Sequence, residues 1–153
     1  MDRIFLGGTC ANTTWRNDLV KILPDYGCEW FNPVVEDWTP ECQAIEEDEK
    51  NNKCNIHLYV ITPEMVGVYS IAEIINSCWQ AQLYGTCVNK VAFFILGDSW
   101  SEAQRKSFRA TLDLCSNIAP ARFCGGFAMN VKEICGIMDM KGFIGKDWFD
   151  LNK

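Results

Sequence analysis

The chain has 153 residues, of which 48% are hydrophobic and 22% charged, and its formal net charge is −6. This length predicts a single domain over residues 1–153, large enough to bury a substantial core. The acidic balance argues against nucleic acid and anionic membranes as partners, because both attract basic patches. The longest apolar run, residues 91–96, is far shorter than the roughly 18 residues that cross a bilayer. No secretory signal peptide is recognisable at the start, so a cytoplasmic location is expected.

Nine cysteines and a single histidine further limit the possible chemistry. The cysteines are odd in number, evenly spread and without a CxxC pair, which favours reduced thiols packed as small hydrophobes over a disulfide framework. His57 lies within an apolar strand-like run, and alone it cannot build a histidine-rich metal site. Zinc hydrolysis and Ser-His-Asp catalysis are therefore disfavoured, and neither a metal nor a cofactor is predicted.

In chain order, short apolar runs alternate with segments of helical length. Glycine, proline and asparagine punctuate them, as at Gly7-Gly8, Pro24 and Asn32-Pro33. The predicted elements are a strand at 4–6, a helix at 15–23, a strand at 28–31, an acidic helix at 40–53, a strand at 56–61, a helix at 70–84, a strand at 90–96, a helix at 101–117, a strand at 122–127 and a helix at 131–140. The tail, with Trp148 and Phe149, is expected to dock on the domain.

Five such strand–helix units predict a parallel sheet with helices on both faces. At this length the expected fold is a flavodoxin-like three-layer sandwich with the strand order 2-1-3-4-5. The direction in which successive strands are added then reverses between strands one and three, and ligands of such sheets bind at the carboxyl ends of the strands at that point. The loops after Leu6 and Ile61 are therefore the segments to search.

The first of these loops begins Gly7-Gly8-Thr9. Its glycines allow the backbone to approach a ligand closely, and Thr9 offers hydrogen bonds. A tight turn from strand to helix has a similar composition, so both interpretations remain open.

The second segment contains Ser70 and Glu73 in an S-x-x-E pattern before an apolar helix, which is typical of a capping box. Alternatively, Glu73 lies off the apolar stripe in the first helical turn, where the helix N-terminus favours a carboxylate. A carboxylate beside a ligand pocket is what a glycosyl nucleophile requires.

Taken together, several short motifs resemble the nucleoside 2-deoxyribosyltransferase-like family, in a short and divergent branch. Their order and spacing cover residues 3–97. The motifs are Phe5-Leu6-Gly7-Gly8-Thr9, Trp15-Arg16, Phe31-Asn32-Pro33, Asp37-Trp38, Thr62-Pro63 and Ser70-Ile71-Ala72-Glu73-Ile74.

The resemblance implies an enzyme that cleaves the N-glycosidic bond of 2′-deoxynucleosides or their monophosphates and passes the sugar to another base or to water. Glu73 would attack C1′ and form a covalent deoxyribosyl ester. The remaining implied substrate contacts are Gly7, Gly8 and Thr9 at the sugar and phosphate, Asn32, Asp37 and Trp38 at the base, and Ser70 beside the nucleophile. The resemblance also implies a small-molecule nucleoside or nucleotide partner and a homo-oligomer whose neighbouring subunit completes the site.

Asn55 departs from the family pattern, since relatives often carry an aspartate there that helps the base to leave. An amide donates a hydrogen bond but delivers no proton, so Asn55 is either a weaker catalytic group or a turn residue at the strand entry. Asp37, Glu64 and Asp98 are the candidate substitutes, while the acidic run at 46–49 is expected to be a solvated helix face.

Two other functions stay open at this point. One is a non-catalytic module that binds or sequesters nucleotides, and the other is an NAD-cleaving glycosidase.

Overall fold

The computed structural model describes residues 1–10, 12–83 and 86–145. Its centre is a five-stranded sheet in which every neighbouring pair is parallel, with the order β2-β1-β3-β4-β5. The strands are β1 (Arg3–Gly8), β2 (Glu29–Phe31), β3 (Ile56–Ile61), β4 (Lys90–Leu96) and β5 (Phe123–Ala128). The predicted α/β fold and strand order are confirmed.

Helices alternate with these strands along the chain. They are α1 (Trp15–Val20), α2 (Pro40–Asp48), α3 (Tyr69–Gln80), α4 (Glu102–Ile118) and α5 (Val131–Met140). Among the described residues, no helix is both long and apolar enough to cross a membrane.

Three predicted helices differ from the observed ones by more than one residue. The helix predicted at 70–84 begins one residue earlier and ends at Gln80. The helix predicted at 15–23 ends at Val20 and is followed by a 3₁₀ turn, Leu23–Tyr26, because Pro24 has no backbone N–H to continue α-helical bonding. The helix predicted at 40–53 is α-helical only to Asp48 and continues as a π-helical turn, Glu49–Lys53.

The sheet is covered on both faces, as the alternation of β3 shows. Leu58 and Val60 pack in one core with residues of α1 and α5. Tyr59 and Ile61 point the other way, into a second core with residues of α3 and α4. All six residues of β3 are buried, which explains why five of them are apolar or aromatic and only His57 is not.

All nine cysteines lie in the described part of the chain; none forms a disulfide there, and six are buried. The proposed docking of Trp148 and Phe149 concerns residues outside the described ranges.

Candidate active site

A cavity of about 370 Å³ opens at the carboxyl end of β1, between the loop that follows β2 and the start of α3. Its size is within the range of small-molecule sites. Five residues predicted from the sequence line it together, namely Gly7, Gly8, Trp38, Ser70 and Glu73. The other lining residues are Phe5, Cys10, Arg16, Pro33, Val34, Val35, Glu46 and Tyr69.

The glycines of the first loop are required by the close approach of β1 to β3. Gly8 has φ +115°, and a Cβ at this position would collide with the backbone carbonyl of Val60. A Cβ on Gly7 would lie 2.5 Å from the ring of Tyr59. Side chains are thus excluded here for packing reasons, and the bare backbone forms one wall of the cavity.

Thr9 lies beneath the cavity rather than on its wall. It is 5% exposed, and its Oγ1 accepts a hydrogen bond from the backbone N–H of Thr62 at 3.0 Å. This bond joins the two loops that the strand order had selected, so Thr9 supports their relative position.

Arg16 holds the end of β1 in place through hydrogen bonds to its backbone. Its guanidinium donates to the carbonyls of Leu6 at 3.0 Å, Gly8 at 3.2 Å and Thr9 at 2.6 Å. Burial lowers the pKa of this guanidinium from its ordinary value, yet three carbonyl acceptors compensate the buried charge. The sequence motif Trp15-Arg16 therefore holds the backbone of the loop in place.

Glu73 does not belong to a capping box, so that interpretation of the S-x-x-E pattern is wrong. The N-cap of α3 is Val68, which makes no side-chain cap bond, and Ser70 already lies inside the helix. Glu73 is the fifth helical residue, and its Oε2 accepts from Nζ of Lys50 at 2.5 Å. An ammonium group, rather than the helix terminus, therefore stabilises this carboxylate.

Glu46 is the second carboxyl group of the cavity. The expectation that the acidic run at 46–49 is a solvated helix face is therefore wrong for Glu46, and also for Glu49, which is buried. Burial raises the pKa of Glu46 above the ordinary value, and the negative charge of Glu73 raises it further, while Lys50 and Arg16 act in the opposite direction. The available signal was the spacing of Glu46 and Lys50, four residues apart on one helix face.

Two aromatic side chains flank the opening. Trp38, in the loop after β2, is 60% exposed and Tyr69, at the start of α3, is 76% exposed. Both line the cavity, so large aromatic surfaces border it without being packed in the core. Tyr69 was not predicted from the sequence.

Besides Thr9, three predicted residues are not brought to the cavity wall. Asn55 precedes β3 at the amino edge of the sheet, where its Oδ1 accepts from the Arg3 N–H at 2.8 Å and its Nδ2 donates to Asp2 at 2.9 Å. Asn32 accepts from the Val34 N–H, and Asp37 lies exposed on the same loop. The contacts of Asn55 are those of a strand-entry residue.

The two remaining substitutes for the missing aspartate lie elsewhere. Glu64 lines neighbouring cavities, and the hydroxyl of Thr62 lowers its pKa. Asp98 is exposed after β4, where its carbonyl accepts from Arg105. Glu46 is therefore the carboxyl group that shares a cavity with Glu73.

A larger cavity of about 600 Å³ lies between α1 and the start of α5, where Asp18, Lys21 and Lys132 are among its lining residues. Glu73 and Glu46 do not line it, so we assign the smaller cavity as the candidate site. Within the described ranges, no group of three or more His, Cys, Asp or Glu side chains is arranged to hold a metal ion.

The chain also matches a model of a known protein family. The family model described as "Nucleoside 2-deoxyribosyltransferase like" matches residues 2–93, a range that includes all residues lining the smaller cavity. No curated protein matches the chain.

Proposed function

The chain belongs to the nucleoside 2-deoxyribosyltransferase-like family, and we propose that it cleaves the N-glycosidic bond of a 2′-deoxynucleoside or its monophosphate. The observation that supports this most strongly is the meeting of Glu73 and Glu46 in one cavity of about 370 Å³. A pair of carboxyl groups in different electrostatic surroundings is the arrangement that glycosyl transfer requires.

In the first step, Glu73 is the nucleophile. One of its oxygens forms a bond to C1′ of the deoxyribose while the bond from C1′ to the base nitrogen breaks. The sugar passes through a transition state with positive charge near C1′, which a neighbouring carboxylate stabilises. The product is a covalent deoxyribosyl ester of Glu73.

Glu46 is the acid that assists the departure of the base. Its raised pKa increases the share of the protonated form, which can donate to the leaving base nitrogen. The resulting carboxylate then takes a proton from water or from an acceptor base as the ester breaks. This role replaces the one that the family pattern would give to position 55.

The walls of the cavity suit the two parts of a nucleoside. The exposed rings of Trp38 and Tyr69 can stack on a planar base, and the backbone at Gly7 and Gly8 allows the sugar to lie close to β1. Ser70 lies between Tyr69 and Glu73 along α3 and lines the same cavity. These residues, together with Asn32, Asp37 and Thr9 in the supporting loops, form the proposed substrate environment.

The test is chromatography of a panel of deoxynucleosides, their monophosphates and NAD, incubated with the protein with and without a free acceptor base. We expect base release or base exchange with a deoxynucleoside or monophosphate, a mass increase on Glu73 after mixing, and loss of both in Glu73→Gln. Glu47→Gln, an exposed neighbour of Glu46, is the control and should retain activity.

Three results would contradict the proposal. Full activity in Glu73→Gln would exclude the covalent mechanism. Thermal stabilisation by nucleotides without any base release would instead indicate the non-catalytic binding module. Release of nicotinamide alone would assign the site to NAD cleavage.

A further inference from the structure

The π-helical turn after α2 places Lys50 in an unusual backbone position. The N–H of Cys54 bonds the carbonyl of Glu49, five residues back, at 2.7 Å. In a regular α-helix the Cys54 N–H would bond the carbonyl of Lys50. That carbonyl instead accepts a hydrogen bond from Nε2 of His57 at 2.6 Å. Insertions of this kind are frequent at functional sites.

His57 connects this turn to α3. Because Nε2 donates to a carbonyl, Nδ1 is the acceptor and receives the hydroxyl proton of Ser77 at 2.8 Å. The Ser77 oxygen in turn accepts from the Tyr59 hydroxyl at 2.8 Å. Ser77 lies four residues after Glu73, on the same face of α3.

Lys50 is therefore joined to α3 twice, through its carbonyl by way of His57 and through its ammonium group by way of Glu73. The ammonium lies 5.3 Å from the centre of the Phe5 ring and 5.9 Å from that of Tyr59. The Lys50 side chain is 13% exposed and that of Glu73 is 17% exposed. This pair is accordingly screened by solvent far less than a surface ion pair.

The pairing distinguishes the two oxygens of Glu73. Lys50 occupies Oε2, whereas Oε1 has no hydrogen-bond partner among the described residues. We propose that Lys50 is a positioning residue which directs attack through Oε1 and accelerates the breakdown of the deoxyribosyl ester. This proposal rests on the proposed function of Glu73.

The direction of the effect follows from the charge on Glu73 in each step. As Oε1 bonds to C1′, the carboxylate becomes a neutral ester and its hydrogen bond from Lys50 weakens. In the second step, the oxygen of water or a nitrogen of an acceptor base bonds to C1′, and the C1′–Oε1 bond breaks. The electron pair of the C1′–Oε1 bond returns to the carboxylate of Glu73, and the proton of the attacking water or acceptor base passes to Glu46.

The hydrogen bond to Oε2 strengthens during this second step because negative charge returns to its acceptor. An interaction that is stronger in the transition state than in the ground state accelerates that step. Lys50 thus assists ester breakdown more than ester formation.

The experiment is a rapid-mixing measurement of base release from whichever deoxynucleoside or monophosphate the wild-type protein cleaves, with intact-protein mass spectrometry. In Lys50→Met we expect a first burst approaching one base per protein, followed by steady turnover about tenfold or more below wild type. The steady-state fraction of protein carrying the sugar should rise, and KM should not increase.

Lys53→Met is the matched control, because Lys53 belongs to the same turn but pairs with Asp48 at 3.4 Å. It should behave as wild type. His57→Gln should largely retain the wild-type kinetics because its amide can donate to the Lys50 carbonyl, whereas His57→Phe should shift toward the behaviour of Lys50→Met.

The outcomes are separable from those of the proposed function. Suppose that wild type is active. If Lys50→Met then reduces the burst amplitude and the steady turnover by the same factor, or changes neither, the role of Lys50 in ester breakdown is refuted while the proposed function stands. If wild type releases no base from any member of the panel, the proposed function and this role fall together.

Discussion

The stability of the protein should depend on pH through His57, the single histidine of the chain. His57 has no exposed surface, and burial lowers its pKa to about 4, from about 6.5 in an unfolded chain. It is therefore neutral in the native state near pH 6, where much of the unfolded population carries the proton. As the pH falls from about 6.5 to 4, the unfolded state binds more protons and the native state loses stability.

The size of this effect follows from the two pKa values. A group with pKa about 4 when folded and about 6.5 when unfolded reduces the free energy of unfolding by about 2 kcal/mol between pH 7 and pH 5. The loss approaches about 3 kcal/mol at pH 4. Between pH 7 and pH 5 no other side chain has an ordinary pKa, so a comparison with a variant at position 57 over this interval isolates the contribution.

The assay is urea unfolding at pH 7, 6 and 5, followed by tryptophan fluorescence, for wild type and His57→Gln. The glutamine retains a hydrogen-bond donor and an acceptor but does not titrate. Wild type should lose about 2 kcal/mol more than the variant between pH 7 and pH 5. Parallel losses in the two proteins would refute the buried, neutral state of His57 and with it the hydrogen-bond pattern that assigns its tautomer.

Three further predictions concern the cavity. Gly8→Ala should reduce the free energy of unfolding by about 2 kcal/mol or more, because Gly8 has a positive φ and its new Cβ would collide with the Val60 carbonyl. The control Gly136→Ala, in open space within α5, should be neutral or stabilising. Equal effects of the two variants in urea unfolding would contradict this prediction. Glu46→Gln should lower the rate of base release by about 10²-fold or more and Glu47→Gln should not, as measured by chromatography; retained activity in the first would remove Glu46 as the acid. Iodoacetamide should label Cys10, which is exposed, before the six buried cysteines. The label should block nucleotide binding as measured by calorimetry. Unchanged binding after labelling would show that Cys10 does not contact the bound ligand.

Much of the fold followed from the sequence because its strongest signals are local. The bounds of β3, β4 and α5 agree with the predicted residues 56–61, 90–96 and 131–140. Apart from His57 in β3 and Lys90 at the start of β4, both strands are apolar, and their side chains are mostly buried on both faces. The strand order then selected the end of β1 and the segment after β3. The cavity is lined by the first of these and by the continuation of the second into α3, with Tyr69, Ser70 and Glu73.

The electrostatics of the site could not be predicted in the same way, because they depend on contacts between distant residues. Lys50 meets Glu73 across 23 positions, and Arg3 meets Glu49 across 46. The sequence of α2 is rich in acidic residues and has no apolar stripe, and no residue of this helix is buried. The spacing of Glu46 and Lys50 placed both on one helix face, but it did not show that this face lies against α3.

The S-x-x-E pattern is a case in which the sequence contains a local signal for a capping box but the structure does not form one. Ser70 and Glu73 have the spacing of a capping box, yet α3 begins one residue earlier, at Tyr69. The carboxylate of Glu73 binds the lysine instead of a backbone N–H. A charged partner made the stronger bond, as is expected for hydrogen bonds between two ionised groups.

Because of the π-helical turn, the orientation of α2 at the candidate site depends on the number of residues between α2 and β3 as well as on their type. Such a turn amounts to one residue added to an α-helix, and each residue advances the helix by about 100°. Removing one exposed residue from Glu49–Lys53 would leave the composition of the chain and its sheet almost unaltered. It would nevertheless rotate α2 relative to β3, so that Lys50 and Glu46 could no longer both face Glu73. Single-residue insertions and deletions here should therefore be more damaging to activity than most substitutions on the same helix, although the turn lies near the surface.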